Sequence, residues 1–216
     1  MNAFNRYAAI LGFALVSTHA QAVEFSFTSA GTITDTLTGL TITSSAWSDT
    51  AAGNQFETAT LSFATDGMGV YNRTENTNSQ GQGNTADALG NKGGVNDLIL
   101  FSFSSKVSLQ SLTAYQVGRD SDLSLWAGSG TFSPDDMTYE NTDTVAGIRT
   151  VDLSKFTGSY DWLAVAARIG EKDDFAKLMS LSVTPVAQPV PDAATWMTML
   201  AGLGLVGFAV KRRTRT

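Results

Sequence analysis

Through the middle of this chain apolar side chains return at every second position, in short runs separated by Gly, Asn, Asp, Ser and Thr. A period of two puts alternate side chains on one face, the signature of half-buried strands. Val23 to Ser29 predicts a strand with Phe25 and Phe27 on one face. Leu40 to Trp47 predicts another, with Leu40, Ile42 and Trp47 inward, and Thr58 to Thr65 a third, with Leu61 and Phe63 together. Leu98 to Phe103 is apolar almost without a break, which predicts a central strand buried on both faces. Val107 to Val117 alternates but changes phase between Leu109 and Leu112, as a bulge would require. Short strands are predicted near Leu123 to Ala127, Thr131 to Phe132 and Ile148 to Leu153, and Trp162 to Ile169 and Lys177 to Thr184 end the series. No long segment of helical period occurs between them. About ten short strands with turn-rich connections predict an all-β fold, a single jelly-roll-like β-sandwich over residues 23–184.

Two stretches interrupt the pattern. Asn72 to Gly94 is polar, rich in Gly and Asn, and predicts a long loop with too little apolar surface to offset its ordering entropy. Pro185 to Pro191 holds three prolines and predicts a stiff spacer.

The two ends differ from the middle. Residues 1–22 have the composition of a signal peptide: Arg6 in the n-region, an apolar core from Ala8 to Val16, and Ala20-Gln21-Ala22 as a small-x-small site for signal peptidase. Cleavage after Ala22 starts the mature chain at Val23. At the other end Ala194 to Val210 is an uncharged apolar run followed by Lys211, Arg212, Arg213 and Arg215. As a helix this run reaches roughly 25 Å, slightly short of a hydrocarbon core, a gap that snorkelling basic side chains can close. The expected topology is an exported domain, then a transmembrane helix over 194–210 in the inner membrane, with the basic tail inside.

The order of these terminal features resembles the PEP-CTERM sorting signal of exosortase-processed bacterial surface proteins. That family usually shows Val-Pro-Glu-Pro. Here Val190 and Pro191 match, Asp192 stands for the Glu and Ala193 for the second Pro. Trp196, Met197, Gly202-Leu203-Gly204-Leu205 and the terminal Arg cluster fit the rest of the signal, which occupies 192–216. The resemblance implies an exosortase as processing partner and a final location at the cell surface or outside the cell.

Removing the two ends changes the charge balance. Of the 14 Lys and Arg, Arg6, Lys211, Arg212, Arg213 and Arg215 go, leaving 9; of the 20 acids only Asp192 goes, leaving 19. The remainder carries about −10, which argues against nucleic acid as a partner. The chain has no Cys, and its one His, His19, lies in the signal peptide. Disulfides, Ser-His-Asp and Cys-His nucleophiles and the common zinc and copper sites are therefore excluded from the mature domain. Oxygen ligands remain, which leaves calcium as the compatible metal.

The candidate calcium ligands are Asp120 and Asp122 in Gly118-Arg119-Asp120-Ser121-Asp122, with Asp97 and Asp66 flanking other strands. The alternative for Asp120 and Asp122 is a turn that accepts backbone N–H bonds and pairs with Arg119. Asp66-Gly67-Met68-Gly69-Val70, Asn96-Asp97 through Phe103, Val107-Ser108-Leu109 and the Asp120-Ser121-Asp122 loop together resemble a recurrent ectodomain of exosortase-dependent surface proteins. Trp47, Tyr71, Tyr115, Trp126, Tyr139 and Tyr160 are candidates for stacking on sugars, with core packing as the alternative, favoured for Trp126 and for Trp162. The expectation is a non-enzymatic structural or adhesive protein of a biofilm or extracellular polysaccharide. A calcium-dependent carbohydrate-binding module is the alternative, and a secreted glycoside hydrolase, which needs just two carboxylates, the third.

Overall fold

The computed structural model describes residues 21–28, 31–49, 56–71, 89–90, 96–117, 121–132, 140–142, 147–168 and 174–186, with 197, 200, 201 and 203 near the end. The sorting motif Val190 to Ala193, the basic tail, Ala20 and Asp120 lie outside the described residues. The chain divides into two compact units, Met1–Val186 and Ala187–Thr216.

The first unit is all-β. Its strands are β1 (Val23–Ser26), β2 (Thr32–Thr34), β3 (Thr41–Ser48), β4 (Glu57–Ala64), β5 (Gly67–Tyr71), β6 (Leu89–Gly90), β7 (Asp97–Gln116), β8 (Leu123–Gly128), β9 (Glu140–Thr142), β10 (Ile148–Asp152), β11 (Tyr160–Ala167) and β12 (Phe175–Pro185). They join one sheet in the order β1-β12-β5-β4-β3-β7-β11-β8-β9. Strand β10 pairs with β7, β2 with β3 and β6 with β12; a further pairing of β12 with β7 closes the circuit β12-β5-β4-β3-β7 on itself.

Strand β7 is the spine. Its first half lies between β3 (Ile42↔Phe103 to Ser48↔Asp97) and β11 (Trp162↔Ser102 to Ala166↔Leu98). Its second half lies between β12 and β10. The near-continuous apolar run of the first half is explained by two clusters, one on each face. Ile99, Phe101 and Phe103 enter the main core, whereas Leu98 and Leu100 enter a smaller outer cluster with Trp126, Ala164 and Ala166. The main core also takes Phe25 and Phe27, Met68 and Val70, Leu123 and Leu125, and Leu178, Leu181 and Val183. Phe27 stacks on Phe101 with ring centroids 4.9 Å apart, so residues following the edge strand β1 pack directly on the spine.

The change of phase in the second half has a simple cause. Val183 of β12 pairs with Leu109 and Ser182 with Ser111, which leaves Gln110 as one extra residue. One extra residue reverses the parity of every side chain beyond it. Leu109 and Leu112 therefore both face the core, although they differ in parity. A second irregularity lies on β12, where Leu178 pairs with Ala114 and Ser180 with Thr113, leaving Met179 extra.

Several expectations need correction. Trp47 does not share a face with Leu40 and Ile42; being of opposite parity to Ile42, it joins the outer cluster. Thr131 to Phe132 is not a strand, and Phe132 packs as an irregular residue on the outer cluster. Leu89–Gly90, within the expected long loop, pairs with Ala176 and Phe175 as β6. Pro185, expected in the spacer, ends β12 opposite Val107. The expected membrane helix over 194–210 lies largely outside the described residues: residues 197, 200, 201 and 203 are helical, and among the described residues no helix is long and apolar enough to cross a membrane.

The β4–β5 hairpin is held against β12 by contact at its turn. Gly67 has φ +126°, and a Cβ placed on it would lie 2.7 Å from the Leu178 carbonyl oxygen. Beside it Lys177 Nζ donates to Asp66 Oδ1 at 2.8 Å. Gly67→Ala meets both a disfavoured φ and fixed backbone, and is expected to cost about 2–4 kcal/mol. Urea unfolding followed by Trp fluorescence checks this; a midpoint within error of the parent would contradict the close approach.

Three carboxylates at strand ends are held below the ordinary Asp value of 3.8. The Thr38 hydroxyl does this for Asp35, the Ser154 amide for Asp152, and the Gly130 amide followed by Lys106 for Asp161. An unfolded chain takes up these protons first on acidification, so the three stabilise the fold fully above about pH 3.8 and lose that effect as pH falls through their lower folded values. Changing all three to Asn is expected to lower the melting temperature at neutral pH and to have little effect at pH values below the folded pKa values. A difference that stays constant across the titration would exclude this linkage.

Candidate functional site

Three regions could carry function: an ionic network at the strand ends, the outer aromatic cluster, and a groove beside β1. The ionic network is built where β8 begins. Asp122 Oδ2 accepts from Arg168 Nη1 at 2.9 Å, and the Asp122 carbonyl accepts from the Arg168 amide at 3.0 Å. The Asp122 amide in turn donates to Asp174 Oδ1 at 2.9 Å, and Asp174 is fully buried. Arg149 of β10 donates through Nη2 to the carbonyl of Ser121. Ser121-Asp122 therefore ties the start of β8 to β10, to the end of β11 and to the start of β12. The expected pairing with Arg119 lies outside the described residues; the arginine seen on Asp122 is Arg168, forty-six positions away in the chain.

The other proposed ligands lie elsewhere. Asp66 is paired with Lys177 at the β4–β5 turn. Asp97 is 3 % exposed and sits opposite Ser48 in the β3–β7 pairing. Next to it is a clamp that sequence reasoning missed. Asp49 Oδ1 accepts from the Asn96 amide, Asp49 Oδ2 accepts from Asn96 Nδ2 at 2.8 Å, and the Asp49 amide donates to the Asn96 carbonyl at 3.1 Å. The available signal was an Asx residue ending each of two strands, Ser48-Asp49 and Asn96-Asp97. Among the described residues no three acidic, His or Cys side chains converge as a metal site would need. Asp66 and Asp122 are each already balanced by a cationic side chain.

The aromatic side chains are mostly spent on packing. Trp126 is 2 % exposed. Phe132 fills the space between Trp47 and Trp162, with centroids 6.2 and 5.2 Å away and its ring edge-on to Trp162. The other flank of Trp162 lies against Gly128, where a Cβ would come within 2.2 Å of the indole. Tyr160 packs edge-on against Phe156, and its hydroxyl accepts from the Gly158 amide at 3.1 Å. Tyr71 and Tyr115 are half-buried, and Tyr139 lies outside the described residues. Trp162 is thus packed against both Phe132 and Gly128.

The groove lies beside β1, has a volume of about 310 Å³ and is lined mainly by hydroxyl side chains. In comparisons with known proteins no family model matches this chain and no curated protein matches it significantly. The class that the fold defines is therefore an all-β protein, and function has to be argued from its own residues.

Asp122→Asn keeps the shape of the side chain and removes the charge that Arg168 balances. Breaking one partner of a largely buried pair is expected to cost about 1–3 kcal/mol. The loss should be equal in calcium and in chelator, because the partner is an arginine. Thermal unfolding in both buffers tests this, and a loss confined to calcium would return Asp122 to the metal ligands.

Proposed function

We propose that this protein is an exported surface or extracellular-matrix protein with a structural or adhesive role in a biofilm or extracellular polysaccharide. In this reading its first unit is a jelly-roll-like β-sandwich, with β7 shared by its two layers. Signal peptidase releases the chain after Ala22, the C-terminal segment holds it transiently in the inner membrane, and an exosortase acts near Val190 to Ala193. The observation that carries the reading is the character of the second unit's helical residues. Met197, Leu200 and Leu203 are 60 %, 65 % and 69 % exposed. Apolar side chains so exposed on a helix have a lower free energy in lipid than in water. The uncharged sequence around them and the basic cluster beyond it supply the remaining support.

The composition agrees with this setting. A domain without Cys and with its sole His in the leader has no thiol to be oxidised outside the cell, and its net acidity favours soluble display. The buried carboxylates described above are engaged in structural bonds.

Intact-mass analysis of the protein recovered from the native cell envelope and medium is the test. The expected species begins at Val23 and lacks the chain from Thr195 onward. A mass that retains Lys211 to Thr216, or a full-length chain folded in the cytosol, would overturn the proposal.

A further inference from the structure

We propose that the groove beside β1 is a binding site for a neutral polyhydroxy ligand, a stretch of uncharged glycan chain. The inference rests on the surface-protein reading for its setting and on the following geometry for its chemistry.

One wall is β1, which presents Glu24 and Ser26 outward, with Thr28 just beyond it. The opposite wall is the β4–β5 turn, with Thr65. The floor is β12 and β7, with Ser180 and Thr113. Two irregularities shape the space. The extra residue in β12 is Met179, and its side chain lines the groove. Bulges re-aim side chains in this way and are common beside binding sites. Gly67 lets the hairpin turn approach the Leu178 carbonyl, which places the second wall. At about 310 Å³ the groove is at the lower end of the range for small-molecule sites, roughly 300–1,000 Å³.

The lining selects the ligand class. Ser26, Thr28, Thr65, Thr113 and Ser180 contribute hydroxyls, each of which both donates and accepts. Among the described residues no Lys or Arg lines the groove, so a phosphate, sulfate or carboxylate ligand has no counter-charge there. A single carboxylate, Glu24, is too few for a divalent cation, and its Oε1 already accepts from Ser180 Oγ at 2.8 Å. Apolar atoms make up the larger part of the groove's surface, suited to the C–H faces of sugar rings between the hydroxyls. A molecule that carries both hydroxyls and C–H faces matches this lining.

The surroundings extend the site in one direction. Cross-strand partners share a face of the sheet. Ser26 is opposite Ser180, Ser180 opposite Thr113, and Thr113 opposite Thr150. The adjacent row runs Glu24, Ser182, Ser111, Asp152. Hydroxyls thus continue from the groove across β12 and β7 to β10, at a strand spacing of about 4.8 Å. An extended chain can lie along such a row, whereas a compact monosaccharide would use the groove alone.

Isothermal titration of the purified protein with cellohexaose, maltohexaose and laminarihexaose tests the site. At least one is expected to bind in the millimolar range or tighter. Thr28→Val with Thr65→Val, two changes at exposed positions that keep side-chain shape, should weaken that binding by roughly tenfold or more while leaving the melting temperature unchanged. Glu24→Gln, which keeps an oxygen acceptor for Ser180 Oγ, should weaken it by less than the Thr28/Thr65 pair does. Thr113→Val provides an independent variant on the floor, with the same expected direction. Absence of binding to all three hexasaccharides, or full binding by the Thr28/Thr65 variant, would overturn the inference. So would loss of binding in Glu24→Gln alone, which would indicate a cationic ligand. The intact mass of the exported protein is read separately, so a failure of the groove and a failure of the export reading give different results.

Discussion

The shared strand β7 is the constraint on which the architecture depends. Its twenty residues pair on both edges along most of their length, with β3 and β11 first and with β12 and β10 afterwards. In a strand, parity decides which face a side chain meets, so a slip of one residue would exchange Ile99 and Phe101 for Leu98 and Leu100. Both sets are apolar, so hydrophobicity alone would not oppose that slip. Shape does: Phe101 must meet Phe27 in the main core, whereas Leu98 and Leu100 meet Ala164, Ala166 and Trp126. The Asp49–Asn96 clamp sets the starting register of the β3–β7 pair with three hydrogen bonds. At the other end the extra Gln110 adjusts parity where the apolar residues change phase.

A domain without disulfides has to secure its strand ends by other means. Here the means are carboxylates bonded to backbone amides. Asp49 accepts from the Asn96 amide, Asp174 from that of Asp122, Asp152 from that of Ser154, and Asp161 from that of Gly130. A charged acceptor makes a stronger bond to an N–H than a neutral one, and it satisfies an amide that the sheet ladder leaves unpaired. Acid residues at strand ends therefore indicate strand ends first and ligands second.

That distinction explains what the sequence disclosed and what it concealed. The all-β class, the strand at Leu98 to Phe103 and the bulge after Leu109 were legible because they follow from period-two alternation. The strands β2, β6 and β9 were missed because runs of two or three residues carry too little pattern, and β5 because Gly67 and Gly69 interrupt its alternation. Trp47 was assigned to the wrong face because bulk was weighed above parity. The pairing of Asp122 with Arg168, and of Asp66 with Lys177, could not be read from local spacing, since the partners lie forty-six and one hundred and eleven positions apart. The groove was invisible for the same reason. It draws on β1, the β4–β5 turn, β7 and β12, and its hydroxyls look like ordinary solvent-facing strand residues until the register aligns them.

The two outward faces of the sheet have been treated differently by the sequence, and the difference bears on function. Around the first half of β7 the outer face is sealed by its own aromatics: Phe132 closes over Trp47 and Trp162, and Gly128 gives up its side chain so that the indole can lie on the backbone. Around the second half the outer face has no such cover among the described residues and carries aligned Ser and Thr with a carboxylate at each end of one row. An apolar surface left open would drive self-association, which this aromatic cover prevents. A hydroxyl surface needs no sealing, because water satisfies it, and for the same reason it can exchange water for the hydroxyls of a polymer at little net cost. Weak contacts of this kind gain strength by repetition along a chain rather than by depth of burial. The aligned hydroxyls of the open face offer shallow contacts of this kind in series.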